Sequence, residues 1–256
     1  MRSCRDNIYM ITCPARTGST MLVQLLRSHP DICSHSEVLS GNKITGVTGT
    51  YCRKSREQPD FLDRLTTERD RDPVKFLYKI VLDLQGKKVV GFKLKHDELV
   101  LPEYSRLRDE IVNDLDFRII HLWRRNLLRR YLSWYVANNV THVTLAVEGD
   151  AIPDMQPVRL DPRECQQNFE TTQKREEEFR QLFARHPNFS ITYEEIVTGE
   201  PGKLASLLDF LGVSQQKLTT TTKKLGTDSL RSSIANFDEL RSYFAGSPFA
   251  GFFEES

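Results

Sequence analysis

The 256-residue chain has no excess of either charge: 36 Lys and Arg stand against 35 Asp and Glu, a formal net charge of +1. That balance argues against a strongly basic nucleic-acid binder and against a polybasic membrane anchor. There is no apolar run of about 18 residues, so no membrane-spanning helix is expected. The opening, MRSCRDNIYMITC, is polar and then only briefly apolar, which does not read as a secretory signal. Cysteine is sparse and odd in number: Cys4, Cys13, Cys33, Cys52 and Cys165, with no CxxC spacing. A disulfide framework or a zinc site is therefore not expected, and a reducing, cytoplasmic setting is. His29, His35, His96, His121, His142 and His186 fall in no HExxH or other metal spacing, so no metal is expected either. Without a signal peptide, the sequons at Asn139 and Asn188 carry no weight. Gly (13) and Pro (11) are too few for a disordered chain, and no repeat or low-complexity tract is present.

What is present suits an α/β fold. The length and the 39% hydrophobic content fit one large domain over 1–256, with 214–256 as a C-terminal segment folded back on it, the alternative being two small domains. Short β-branched or apolar runs at 8–12, 89–94, 117–122 and 189–193 read as buried strands, with helical patterns between them. That alternation predicts a central parallel sheet flanked by helices. Asp161-Pro-Arg-Glu164 is an N-cap, a first-turn Pro and a capping-box acid. It opens a helix that His186-Pro187 ends. A buried helix at 201–212 is closed by Gly212. The tail carries an aromatic cluster: Phe244, Phe249, Phe252 and Phe253.

Three segments carry candidate chemistry. The first, from Ile8 to Leu26, reads as a strand, a tight loop and an amphipathic helix. Gly18 lets backbone approach a ligand. Ser19 and Thr20 lie at the helix start, where free N–H groups and the positive dipole end attract an anion. Arg16 adds a forked donor set. The loop is not a Walker A motif, because Ser19 stands where that motif needs Lys; the plainer alternative is a capped helix after a turn. In the second segment, Ile119 to Trp134, a strand runs into Arg124 and Arg125, and Ser133 lies eight residues beyond Arg125. A junction Arg with a helical hydroxyl can grip a phosphate; the alternative is a solvated basic face. The third, Ile191-Thr-Tyr-Glu-Glu-Ile-Val followed by Phe210-Leu-Gly212, reads mainly as packing.

In this order the three segments resemble those of the sulfotransferases that use 3′-phosphoadenosine 5′-phosphosulfate (PAPS). Cys13-Pro-Ala-Arg16-Thr-Gly18-Ser-Thr20 resembles the loop that holds the 5′-phosphosulfate. Arg125 and Ser133 resemble the 3′-phosphate site, and Tyr193-Glu-Glu-Ile196 is similar to the family's YExL stretch, with Ile for Leu. The tail from Ile234 to Phe253 looks like that of the rhizobial nodulation-factor sulfotransferases. The resemblance covers about residues 8–253. It implies a sheet of the nucleotide-kinase type and a donor site of Arg16, Thr17, Gly18, Ser19, Thr20, Arg125, Ser133 and Tyr193. It also implies catalytic roles for Glu37, in Ser34-His-Ser-Glu37, and for Lys93, in Gly91-Phe-Lys93. Arg16 stands where the animal cytosolic enzymes carry Lys, and His35 is the nearest stand-in for their catalytic His.

The implied reaction passes a sulfuryl group from PAPS to an acceptor hydroxyl. Arg16 and Lys93 would stabilise the leaving phosphate without a metal, and Glu37 would take the proton. The tail favours a carbohydrate acceptor, with 51–72 and 140–158 as acceptor-selecting loops. The alternatives are a small-molecule kinase with a degenerate phosphate loop and an inactive nucleotide-binding module. Acceptor identity and oligomeric state are not legible.

Overall fold

The structure, a computed structural model, describes residues 7–41, 44, 46–151, 155–200, 202–223 and 229–254. Cys4, Pro201 and part of the 140–158 segment lie outside them. The chain order is β1 (Ile8–Cys13), α1 (Ser19–Arg27), β2 (Ile32–Glu37), α2 (Gly49–Glu57), α3 (Phe61–Arg71), α4 (Pro73–Phe76) with a π turn (Leu77–Val81), β3 (Val89–Lys95), α5 (His96–Leu99) and α6 (Ser105–Asn113). Then follow β4 (Phe117–Trp123), α7 (Leu127–Asn139), α8 (Pro162–Leu182), β5 (Asn188–Thr192), α9 (Tyr193–Val197), α10 (Lys203–Leu211), α11 (Leu230–Ser233) and α12 (Phe237–Tyr243).

The described residues form two compact units: one of those within 7–123 and 176–220, the other of those within 124–175 and 221–254. The first holds a five-stranded sheet in the order β2-β3-β1-β4-β5, parallel at every pairing. The expected α/β class is therefore what the chain adopts. Buried strands of a parallel sheet read as continuous apolar runs, and β1 is buried at all six positions. Alternation splits each strand between two cores. Tyr9, Ile11, Ile120 and Leu122 pack with Leu22 and Leu26 of α1 and with Leu207, Leu208 and Leu211 of α10. Ile8, Met10, Phe92 and Ile119 face Leu107 and Ile111 of α6 and Phe179 and Phe183 of α8.

Sequence expectations depart from the structure at several ends. The returning segment after α1 is a full edge strand, β2, whose polar Cys-Ser-His-Ser run hid it from a search for apolar strands. Tyr193 does not extend β5. It opens α9, because Thr192 and Glu195 form a reciprocal capping box. Residues 51–72 are not a loop: α2 and α3 cover them, burying Tyr51, Phe61 and Leu65. The expected helix at 201–212 runs from Lys203 to Leu211, with Gly212 at φ 74° as its C-cap.

The second unit is built on α7, the first half of α8 and the tail. Asp161 Oδ1 accepts from the Arg163 and Glu164 amides at 2.8 and 3.0 Å, so α8 starts where its cap signature predicts. Phe244, Phe249 and Phe253 are buried with Phe169, Leu127 and Tyr131, which is how the tail folds back within this unit. Val158 and Ile234 form an isolated bridge there.

Candidate active site

Ligands of parallel α/β sheets sit beyond the carboxyl ends of the strands, and most of the candidates collect there. β1 ends at Cys13, and the chain turns through 14–18 into α1. Arg16 adopts φ 68°, a left-handed conformation that a non-glycine residue holds only at a cost of about 1–3 kcal/mol and that clusters at functional sites. Burial pulls its guanidinium below its ordinary value. The Thr17 side chain is buried, and its hydroxyl donates to the Pro14 carbonyl at 2.9 Å, so it shapes the turn itself. Gly18 is the N-cap of α1 at φ 77°. A Cβ there would lie 2.5 Å from Tyr193 Cδ2, so the third segment packs its aromatic ring on the backbone of the first. The first turn of α1 contains no acidic residue to offset the positive end of the helix dipole. Ser19 is buried and Thr20 half-buried at that end.

Glu37 reaches this place through a bulge. β2 pairs in step with β3 as far as His35↔Phe92, then resumes at Glu37↔Lys93 with Ser36 as the extra residue. The Ser36 amide donates outside the ladder, to the Gly46 carbonyl at 2.9 Å. Gly46 sits at φ 70°, with no room for a Cβ against Ser36. Arg27 holds the same corner by donating to the Ser34 carbonyl at 2.7 Å and to that of Gly46. Two residues apart on a regular strand would share a face. The bulge instead turns His35 to the side of Phe92 and Glu37 to the side of Lys93.

On that side Lys93, 1% exposed, places Nζ 2.7 Å from Glu37 Oε1 and 3.3 Å from Thr20 Oγ1. The structure thus brings loop helix, Lys93 and Glu37 into one contact. Burial raises the Glu37 carboxyl, but Lys93 and Lys95 outweigh it and the net shift is downward. Glu37 is ionised at neutral pH and available to receive a proton.

His35 is differently placed. It is buried, and its Nδ1 accepts from the Thr48 amide at 3.2 Å. An amide N–H can only donate, so Nδ1 carries no proton and the ring is neutral. Burial first, then the Arg27 charge, lowers its pKa to about 4.

Sequence reasoning missed two members of this cluster. Lys95 Nζ lies 3.1 Å from Glu37 Oε2 and 3.2 Å from Glu98 Oε1. The signal for Lys95 was its spacing of two from Lys93 on a strand; that for Glu98 was its place three residues beyond, as the capping acid of α5.

Arg125 and Ser133 belong to the second unit. Arg125 is exposed in the turn before α7, Arg124 beside it is buried, and Ser133 is half-buried on α7. Asn126 caps α7 by accepting from the Arg129 amide at 2.9 Å.

Elsewhere on the first unit, a cavity of about 10 Å³ lined by Thr12, His96, His121 and Trp123 has room for about one water and not for a nucleotide. Among the described residues, no group of three or more His, Cys, Asp or Glu gathers as for a metal ion. No helix among them is long and apolar enough to cross a membrane. The four described cysteines are free thiols.

No family model matches the chain. It is similar along nearly its whole length to nodulation protein H of Rhizobium tropici, 29% identical over 248 residues that cover 96% of this chain and 92% of that one. Nodulation protein H of Rhizobium meliloti (strain 1021) is 27% identical over 96% of this chain and 94% of its own. Among solved structures, a sulfotransferase from Alicyclobacillus acidocaldarius aligns over 98% of this chain and 95% of that one, at a TM-score of 0.47 and 17% identity.

Proposed function

We propose that this chain, a member of the PAPS-dependent sulfotransferase family, takes a sulfuryl group from PAPS and delivers it to a carbohydrate hydroxyl. The whole chain, 1–256, is read as one such domain, acting in the cytoplasm without a metal. The observation that carries the reading is Lys93 Nζ set between Glu37 and Thr20 at the start of the loop helix. It joins a base, a cation and a helix N-terminus at one point.

Each part has a task. The turn at 14–18 and the first residues of α1 (Arg16, Thr17, Gly18, Ser19 and Thr20) meet the 5′ end of the donor with N–H groups and positive charge. Arg125 and Ser133 take the 3′-phosphate with a guanidinium fork and a hydroxyl. Tyr193, packed on Gly18, keeps the loop backbone in the form that admits an anion. In the transfer, the acceptor oxygen forms a bond to sulfur while the bond from sulfur to the 5′-phosphate oxygen breaks. Adenosine 3′,5′-bisphosphate leaves with the electron pair. Negative charge grows on that phosphate, and Arg16 and Lys93 are the cations set to meet it. The acceptor proton passes to Glu37, ionised beforehand by its two lysines. Nodulation protein H relatives and the tail support a carbohydrate acceptor.

The test is turnover of labelled PAPS against a panel of neutral and amino-sugar oligosaccharides, with wild-type chain and with Glu37→Gln. The variant keeps the shape and removes the base. Turnover should fall by about 10²–10⁴ with adenosine 3′,5′-bisphosphate affinity unchanged. Undiminished turnover would remove Glu37 from the mechanism. A preference for ATP over the bisphosphate would favour a kinase.

A further inference from the structure

The Glu37 carboxylate is held at both oxygens, and the two lysines that hold it are not equivalent. Lys93 bonds Oε1 but is committed to Thr20 as well, so it belongs to the donor loop. Lys95, two residues on and on the same face of β3, meets Oε2 at 3.1 Å and touches Glu98 Oε1 at 3.2 Å. Glu98 is itself fixed: it is buried, and its other oxygen accepts the Lys95 amide at 2.9 Å, closing the first turn of α5. A chain of contacts thus runs from a helix cap, through Glu98 and Lys95, to the second oxygen of the proposed base.

We propose that Lys95 is a positioning residue for Glu37, fixing the orientation of its carboxylate through Oε2, and that Glu98 is the counter-charge that holds Lys95 and limits how far it weakens the base. The inference rests on the reading of Glu37 as the proton acceptor. Two full positive charges on one carboxylate would keep it ionised but make it a poor base. Glu98 takes up part of the Lys95 charge, so Glu37 is oriented at a smaller loss of basicity. Among the described residues, the titratable groups around this carboxylate and its lysines are Lys93 and Lys95 from β3, Glu98 from α5 and Cys13 from β1, with the Thr20 hydroxyl from α1.

The test needs neither donor nor acceptor. The full chain is labelled with ¹³C at the glutamate carboxyls and titrated by NMR, and the Glu37 resonance is identified by its loss in Glu37→Gln. Lys95→Met should raise the Glu37 midpoint by about one pH unit. Glu98→Gln, which retains an acceptor for the Lys95 amide, should lower it, and Lys95→Arg should return it near wild type. Opposite movements are the signature, because a merely structural role would move both the same way. Calorimetry with adenosine 3′,5′-bisphosphate should give equal affinity for wild type and Lys95→Met. A Glu37 midpoint unmoved by Lys95→Met, or moved the same way by both variants, overturns the proposal. If Lys95→Met does not fold, the direction in Glu98→Gln decides alone: downward supports, unchanged or upward overturns. Full turnover in Glu37→Gln would instead remove the base reading, while the titration still reports whether Lys95 holds Glu37.

Discussion

The contact between Gly18 and Tyr193 gives the most quantitative handle on the donor loop. Gly18→Ala imposes two separate costs. At φ 77° an L side chain pays about 1–2 kcal/mol for left-handed backbone. The new Cβ also lands 2.5 Å from Tyr193 Cδ2 and 3.0 Å from Cε2. The ring has little freedom to yield, since Tyr193 is the first residue of α9, held inside the Thr192–Glu195 capping box. Overpacking of that kind costs about 1–3 kcal/mol. Together the change should destabilise the chain by about 2–5 kcal/mol. Tyr193→Ala removes the ring and with it the second cost. In that background Gly18→Ala should cost only the backbone share, leaving a favourable coupling of about 1–3 kcal/mol. Urea unfolding of the four proteins measures this cycle. If Gly18→Ala costs under about 0.5 kcal/mol, or if the two changes add within that margin, the ring does not pack on the loop as described. The reasoning that joins the first and third segments would then fail.

Further expectations follow from other residues. Arg125→Ala should weaken adenosine 3′,5′-bisphosphate by about 1.5–3 kcal/mol in calorimetry and the 5′-monophosphate far less, as fits a charged hydrogen bond to one phosphate; equal losses would remove Arg125 from the 3′-phosphate site. Turnover should survive EDTA, and a loss that magnesium restores would point to a kinase. His35, at about 4 in the fold against an ordinary 6.5, binds its proton more readily in the unfolded chain. Its contribution is therefore complete above pH 6.5 and is lost as pH falls toward 4, by about 1.4 kcal/mol for each pH unit of that gap, or about 3 kcal/mol in all. Urea unfolding between pH 4 and 7 should show that slope in wild type and a flatter one in His35→Gln; equal slopes would mean that His35 is not held neutral.

Much of the sheet was legible because its central strands β1 and β3 are buried on both faces. β1, β3 and β4 are apolar runs bounded by turns, and they fall within a residue or so of expectation. The same logic failed at β2. That edge strand spends three of its four buried positions on Cys33, Ser34 and His35, and the Cys33 thiol and the His35 ring find partners in Gln85, Thr48 and each other. No local pattern announces such long-range partners. The α8 cap was legible because all its parts lie within four residues, Asp161 to Glu164. The π turn at Leu77–Val81 left no comparable mark.

The candidate site shows where reading by period breaks down. On sequence alone, Glu37 and His35 stand two apart on one strand, and alternation would give both the same access to the loop. Their separation depends on one inserted residue, Ser36, and on what allows it: a carbonyl offered by Gly46, a glycine in left-handed backbone, and an Arg27 that bonds both sides of the corner. None of these is adjacent to Ser36 in sequence. With Ser36 out of the ladder, the histidine goes into the apolar core, where a neutral ring is the stable form. The glutamate goes to two lysines, where the charged form is. The bulge therefore does more than aim a side chain. It sorts two titratable neighbours into environments that push their protonation in opposite senses, and it leaves the carboxylate as the one presented with Lys93 and Thr20.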